Sequence, residues 1–459
     1  MIVDFANRKV LVLGLGDTGL SMARWLVRQR ATVHVADTRR DPPHAGVLAR
    51  ELPDVALTRG SLQPAGYSAE AITISPGIDR REPVIADALA RGVPVVGDIE
   101  LFALAIARAG WRSRLIAITG SNGKSTVTAM VGAMCRAAGL ETIVAGNIGP
   151  PALDALHAVE LGAPRPEAIV LELSSFQLES TSSLRPDAAA MLNLCEDHMD
   201  RYASLAEYAA AKARVFAGSG VQVLNRDDPW SMQMAQPARR VTTFGAGAPG
   251  VDADWGIATV AGKPVLAQGR RHVLAVEELK VTGLHNAVNA LAALALARSI
   301  DLPEPPLLAA LRAFAGLPHR LQKVGEARGV AFFDDSKGTN VGATVAALKG
   351  MPRPVVLIAG GDGKGQDFTP LRAAVAARAR AVVLIGRDAD AIAKALGPGV
   401  CMVRARDMEE AVGAAYEHSR PGDAVLLSPA CASFDMFRNY VHRGEVFTAA
   451  VRDLVQREG

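Results

Sequence analysis

Several things are scarce in this chain, and each scarcity removes a class of function. Only four cysteines occur, Cys135, Cys195, Cys401 and Cys431, far apart and without a CxxC pair. That excludes a disulfide framework or a zinc site built on cysteine pairs, and fits reduced thiols. No apolar run approaches the roughly 20 residues that a bilayer-spanning helix requires. The most apolar helical stretch, NAVNALAALALA (286–297), is too short and carries two asparagines. The opening MIVDFANRKVLVLG lacks the basic head, long apolar middle and small-residue cleavage site of a secretory signal. A cytoplasmic protein without membrane insertion is expected. Charge of one sign is also missing: 50 basic residues against 47 acidic ones leave +3, with no basic run. Nucleic acid is therefore not expected as a partner, because backbone binding needs clustered positive charge. There is no internal repeat or low-complexity tract, and a monomer is expected.

What the chain does have is length and alternation. Its 459 residues exceed one ordinary core, so two to four domains are expected. Apolar strand-like runs alternate with helical patterns along most of it, which predicts an α/β protein with mostly parallel sheets. A first unit runs from KVLVLGLGDTG (9–19) through TVHVADT, AITISPGI and VPVVGDIELF to about residue 111. A second starts at RLIAITG and includes ETIVAGNIG, EAIVLELSS, AAAMLNLCEDH and VQVLNRDD. FGAGAPGVDADWG (244–256) reads as a surface insertion followed by short strands. A third begins soon after GLPHRLQKV (316–324), with VAFFDDS, PVVLIAGG, AVVLIG and AVLLSPAC as strands.

Chemistry concentrates in the second unit. AITGSNGKST (117–126) joins a strand to a helix through a glycine-rich turn ending Lys-Ser-Thr. Backbone N–H groups in such a turn converge on a phosphate, and the helix adds its positive end. Lys124 is placed to reach the β- and γ-phosphates, with Ser125 as a hydroxyl ligand to Mg²⁺ and Thr126 beside it. The strict GxxxxGK[ST] pattern is not met, since Ile118 stands five before Gly123. Glu172 closes the apolar run AIVLE, at the strand end where parallel sheets bind ligands; it is either a carboxylate for Mg²⁺ or an edge residue facing water. SLAEYAAAKARVFAG (204–218) reads as an amphipathic helix whose stripe is Leu205, Tyr208, Ala209, Val215 and Phe216. Lys212 falls inside that stripe. A lysine there either snorkels to water or stays buried with a depressed pKa, and then its neutral amine can act as base, nucleophile or CO₂ acceptor. Upstream, Glu196, Asp197, His198 and Asp200 cluster in NLCEDHMDRY.

Taken together, TGSNGKST, GNIG, LELSSFQLE, EDHMDRY, GLHNAVNALAA, HRLQ, DDSKGTN, GGDGKGQDF and LSPACASFDMFRNYVHRGEVF make the chain resemble the Mur ligases from end to end. These ATP-dependent enzymes form amide bonds in the peptide stem of peptidoglycan. The resemblance implies three domains: 1–111, Rossmann-like, for a UDP-sugar; 112–320, P-loop ATPase-like, for ATP; and 321–459, Rossmann-like, for an amino acid. It points to UDP-N-acetylmuramoyl-L-alanine and D-glutamate as substrates. It also implies two Mg²⁺ ions, one held by Ser125 and Glu172, the other by His198 and a carbamylated Lys212. Lys124, His198 and Lys212 would be catalytic. ATP would meet Gly120, Ser121, Asn122, Gly123, Lys124, Ser125 and Thr126, with Asn289 near adenine and Arg320, Asp335 and Lys337 at ribose and phosphates. Thr339, Lys364, Ser433 and Tyr440 would surround glutamate; the family more often has phenylalanine at the last of these. Asn147 and His198 would face the muramoyl-alanine end.

GLGDTG (14–19) needs separate weighing, because GxGxxG followed by Asp37 is also the mark of NAD-binding domains. The resemblance instead assigns that turn to the uridine diphosphate, with Asp17, Thr18, Asp37, Thr38, Arg39 and Gly77 around it. A dehydrogenase leaves the GKST loop unexplained. A silent nucleotide-binding regulator leaves Lys124, Glu172, His198 and Lys212 unexplained. Among ligases, a sister enzyme adding another amino acid or a folylpolyglutamate-type ligase stays open. The D-N-P-R-type motif of the diaminopimelate- or lysine-adding relatives is absent, and SPACASFDMF stands in its place.

Overall fold

The computed structural model describes residues 4–458, and these form three successive sheets flanked by helices. The first sheet is wholly parallel, in spatial order Ala56–Arg59, Thr32–Asp37, Lys9–Leu13, Ala71–Ile74, Val95–Gly97. Lys9–Leu13 is buried along almost its whole length, as strands covered on both faces must be. The turn after it depends on glycine. Gly14 has φ +88°, and a Cβ on Gly19 would lie 1.8 Å from the Gly14 carbonyl oxygen. Helix Asp17–Arg28 thus starts hard against the strand end, with an acid in its first turn and Arg28 in its last, complementing the helix dipole. Of VPVVGDIELF, only Val95–Gly97 is strand; Asp98 opens helix Asp98–Arg108.

In the central sheet Thr142–Gly146, Ala168–Glu172, Arg114–Thr119, Ala188–Met191, Val221–Asn225 and Val241–Phe244 lie side by side and parallel. The glycine- and proline-rich stretch after Phe244 leads into Trp255–Val260, which joins Val241–Phe244 in parallel, and then into Lys263–Gln268 and Arg271–Ala275, which add on by antiparallel pairing. Trp255 is fully buried there, so this extension carries core as well as surface. Helices Lys124–Ala137 and Leu284–Ser299 share one core, with Met130 and Met134 of the first beside Leu291 and Leu294 of the second. The amphipathic segment of 204–218 is shorter than its pattern suggests: helix Leu205–Ala213 tightens into a 3₁₀ turn at Arg214–Phe216. Gly218 (φ +93°) then packs on Arg185 and ends it.

The last sheet runs Gln322–Ala327, Val330–Asp334, Ala424–Leu427, Val355–Gly360, Ala379–Ile385, Cys401–Arg404, parallel except for its first strand. Among the described residues no helix is long and apolar enough to cross a membrane.

The seams between sheets differ in kind. The first two units share a continuous apolar core, in which Ile99 and Phe102 join Leu171 and Leu178. The last unit has its own apolar clusters and meets the centre through polar contacts such as Asn122 Nδ2 to Asn340 Oδ1 at 3.1 Å. Apolar seams hold units together; polar ones let them part.

At the first seam Asp98 is 2% exposed, accepts from Gln177 Nε2 at 3.0 Å and leaves Oδ1 unpartnered. Burial raises its carboxyl to about 6. Between the ordinary carboxylate value and that pKa the folded state holds more protons than the unfolded one. Stability therefore falls as pH rises through this window, and the loss is complete above it. Asp98→Asn is expected to stabilise the protein at about pH 7.5 by on the order of 2–3 kcal/mol and to have little effect near about pH 4. Urea unfolding at the two pH values checks this; an equal effect at both would contradict it.

Candidate active site

Strand Arg114–Thr119 delivers the chain into the loop 120–123, and helix Lys124–Ala137 begins directly after it. Gly120 and Gly123 take φ +151° and +83°, and a Cβ on Gly123 would sit 2.6 Å from Asn289 Oδ1. The loop is braced from behind. Asn122 N–H donates to Asn193 Oδ1 at 2.8 Å while Asn193 Nδ2 donates to the Asn122 carbonyl at 3.0 Å. Ser121 Oγ and the Cys195 backbone exchange two bonds of 3.1 Å.

Two lysine amines meet at this loop. Lys124 Nζ donates to the carbonyls of Gly120 and Ser121, both at 2.9 Å. Lys212 Nζ donates to that same Gly120 carbonyl at 2.8 Å and lies 4.6 Å from the Tyr208 ring centroid. At 1% exposure Lys212 does not snorkel. Among the described residues it takes part in no salt bridge, and burial together with the neighbouring Lys124 charge pushes its amine well below the ordinary lysine value. Burial lowers Lys124 as well.

Glu172 is 1% exposed, so it is no edge residue. Its Oε1 accepts from Asn147 Nδ2 at 2.8 Å, and its buried Oε2 has no partner. A buried carboxylate oxygen left unsatisfied beside the phosphate loop is what a cation would complete. Among the described residues no group of three or more His, Cys, Asp or Glu is assembled for a metal. That suits Mg²⁺, which takes few protein oxygens and fills its shell with phosphate and water. Ser125 Oγ and Glu172 fit such an ion. His198 stands in the left-handed region (φ 59°), its ring 4.8 Å from Phe176 and its Nε2 3.7 Å from Asp197 Oδ2. Burial lowers its pKa to about 4, leaving a neutral imidazole with a free lone pair. Burial would raise Asp197, but Lys364 from the last unit pairs with it and, with His198, holds it at about 2.

Two cavities open around the loop. One, of about 530 Å³, is lined by Asn122, Gly123, Thr126 and Asn289 on one side and by Arg320, Asp335 and Lys337 on the other. Burial raises the Asp335 carboxyl to about 7, and Ser428 Oγ donates to it at 2.7 Å. The second, of about 620 Å³, collects Asp17 and Thr18 from the first unit, Ser125 and Asn147 from the centre, and Tyr440 from the last. Arg320 and Lys337 line both. Lys337 Nζ lies 3.8 Å from the Tyr440 ring centroid, and burial lowers it to about 8.

Other expected residues lie off these cavities. Asp37 has both oxygens occupied: Oδ2 by Leu15 N–H at 2.7 Å, and Oδ1 by Arg39 N–H and Nε at 2.8 Å. Burial would raise it, yet the Arg39 bonds bring it to about 2. A carboxylate saturated in this way has nothing left for the ribose hydroxyls of a dinucleotide, which weighs against the dehydrogenase reading. Thr38, Arg39 and the exposed Gly77 stand at the C-terminal edge of the first sheet without lining the cavity that holds Asp17. Thr339, whose N–H donates to the Lys337 carbonyl, and Ser433, 2% exposed, line neither cavity. Sequence reasoning did not assign Asn193, Asn340 or the cavity residues Asp227 and His285 to the site. Asn340 ends the DDSKGTN motif and Asn193 opens NLCEDH, so position beside a motif was the available signal.

A phosphate loop at the junction of three α/β units, with a cavity on either side, is the plan of a nucleotide-driven ligase. Family models agree: the Mur ligase MurD-like N-terminal domain matches residues 8–97, the Mur ligase middle domain 118–297, and the Mur ligase glutamate ligase domain 319–431. The chain belongs to the Mur ligase family, ATP-dependent ligases. It is 59% identical over 466 residues, covering 98% of both chains, to a UDP-N-acetylmuramoylalanine--D-glutamate ligase of Thiobacillus denitrificans. The same enzyme of Nitrosospira multiformis is 56% identical over 98% of this chain and 97% of its own. Among solved structures, a pseudomurein peptide ligase type C from Methanothermus fervidus shares the fold at TM-score 0.61 and 18% identity, over 98% of this chain and all 100% of that one. UDP-N-acetylmuramate-alanine ligase MurC from Thermotoga maritima does so at 0.60 and 18%, with the same coverage.

Gly123→Ala would force a side chain into the left-handed region and onto Asn289. Nucleotide affinity is expected to fall about 5- to 150-fold, since strain of this kind costs on the order of 1–3 kcal/mol. Calorimetric titration with ADP and Mg²⁺ measures it; parental affinity would contradict the geometry.

Proposed function

We propose that this enzyme joins D-glutamate to UDP-N-acetylmuramoyl-L-alanine, with ATP as the energy source, in the making of peptidoglycan precursors. The observation that carries the reading is the pair of cavities on either side of one phosphate loop, both lined by Arg320 and Lys337. In this reading residues 1–111 hold the UDP-sugar, 112–320 hold ATP and 321–459 hold the amino acid.

A carboxylate is a poor acyl donor, because its charge repels an amine and its leaving group would be oxide. Transfer of the γ-phosphoryl group of ATP to the alanine carboxylate gives an acyl phosphate and ADP. The neutral amine of glutamate attacks the acyl carbon; the tetrahedral intermediate loses phosphate and the nitrogen loses a proton, leaving the amide. Little covalent chemistry falls to the protein, which positions the reactants and neutralises charge. Lys124 and Arg320 would face the phosphates from opposite sides. Asn289 would meet the base, Asp335 the ribose, and Asn147 and His198 the muramoyl-alanine end. Lys364, Thr339, Ser433 and Tyr440 would orient glutamate, and Lys364 must exchange its Asp197 partner to do so. Two Mg²⁺ ions, when bound, would add neutralisation across the phosphates and acyl oxygen, held by Ser125 and Glu172 and by His198 with carbamylated Lys212. The buried Lys212 amine suits carbamylation: the lone pair of the neutral amine attacks CO₂, the nitrogen loses a proton, and a neutral group becomes an anion able to bind metal.

ADP release is expected only when UDP-N-acetylmuramoyl-L-alanine and D-glutamate are both present. Release without the sugar nucleotide, or equal turnover with L-glutamate, would overturn the reading. Lys212→Arg keeps a cation but cannot form a stable carbamate. It should lower kcat about 10²- to 10³-fold with little change in the KM for ATP, and kinetics indistinguishable from the parent would contradict the role.

A further inference from the structure

Helix Val341–Gly350 starts at the polar seam between the last unit and the phosphate loop. Asn340 caps it, its Oδ1 accepting Ala343 N–H at 2.9 Å. The same carboxamide exchanges two 3.1 Å bonds with the carboxamide of Asn122 in the loop, and its other N–H reaches Asp197 Oδ2 at 3.2 Å. Asn340 is 2% exposed, and every side-chain donor and both oxygen lone pairs are used. Only a carboxamide of this length donates twice and accepts twice here. Aspartate would lose both donations and face Asp197; serine would retain the cap alone.

Two positions on, Gly342 lies inside the helix, where glycine is a poor choice. A Cβ there would fall 2.6 Å from Cys195 Sγ and 3.3 Å from Asn122 Nδ2. The absent side chain is what admits the helix to the loop. The ion pair across this seam, Lys364 to Asp197, uses groups that charged substrates would compete for, and the Asp367 N–H to Glu196 bond beside it is exposed. The Asn122–Asn340 pair is neutral and survives that competition.

We propose that Asn340 and Gly342 are positioning residues that dock the last unit onto Asn122, so that the phosphate loop reaches its reactive arrangement only with the amino-acid unit in place. This rests on the reading of the loop as an ATP site. Asn340→Ser keeps the cap and breaks the pair; Gly342→Ala improves the helix and obstructs the approach. In each, kcat should fall about 10- to 100-fold, the effect of losing two or three buried hydrogen bonds, with the KM for the UDP-sugar changed by less than about threefold. Circular dichroism and the melting midpoint should stay at parental values, which a merely structural role would not allow. Docking is read without turnover by small-angle scattering in ADP and Mg²⁺: the parent should be compact and both variants larger. Parental kcat in Gly342→Ala, or equal radii of gyration, would overturn the inference. Should the parent fail to ligate at all, the functional reading falls, and the radii alone still decide the docking contact. Should Gly342→Ala unfold, Asn340→Ser decides in the same way.

Discussion

Two buried amines on one carbonyl set the terms for the rest of this molecule. Lys124 and Lys212 both donate to Gly120 O, and among the described residues neither takes part in a salt bridge. Two amines sharing one neutral acceptor in a low-dielectric site resist carrying a proton each, so burial and the Lys124 charge hold the Lys212 amine well below the ordinary lysine value. In the proposed reaction, phosphate would bring negative charge to one of them and a carbamate would bring it to the other. Glu172, with one oxygen unpartnered a short way along the same sheet edge, shows the complementary deficit. Buried charge-bearing groups of this kind pre-organise a site for a highly charged reaction, because the protein bears their desolvation during folding.

The seams follow from the same logic. A shared apolar core joins the first two units, keeping Asp17 and Thr18 in constant register with the phosphate loop. The last unit carries its own core and meets the loop through hydrogen bonds and ion pairs. If Lys364 binds a substrate carboxylate as proposed, exchanging Asp197 for it would leave the number of ion pairs unchanged, so closure and release would lie close in free energy.

Local features of the site were legible in the sequence, and long-range ones were not. GSNGKST announced a phosphate loop because a tight turn must use glycine and a helix must follow. The spacing of Tyr208, Lys212 and Phe216 placed an amine on an apolar stripe, yet spacing alone could not separate a snorkelling lysine from a buried one; that needed the loop carbonyl above it. The helix around Lys212 gives way after Ala213 to a 3₁₀ turn over Arg214–Phe216, a change the periodicity does not encode. Asn340 and Asn122 stand 218 residues apart, and nothing in either motif names the other. Asp37 resembled a ribose ligand because its position matches that motif, whereas its oxygens are taken by Leu15 and Arg39. The three parallel sheets were readable from alternation, and the antiparallel extension at Trp255 only from the short strands beyond a glycine-rich turn.

The proposed mechanism depends most on whether Lys212, buried and with its amine held well below the ordinary lysine value, takes up CO₂. Carbon-13 NMR of the protein equilibrated with ¹³C-bicarbonate tests it most directly. A carbamate carbon present in the parent and missing from Lys212→Arg is the predicted result. A parent spectrum with no carbamate signal at saturating bicarbonate would contradict it.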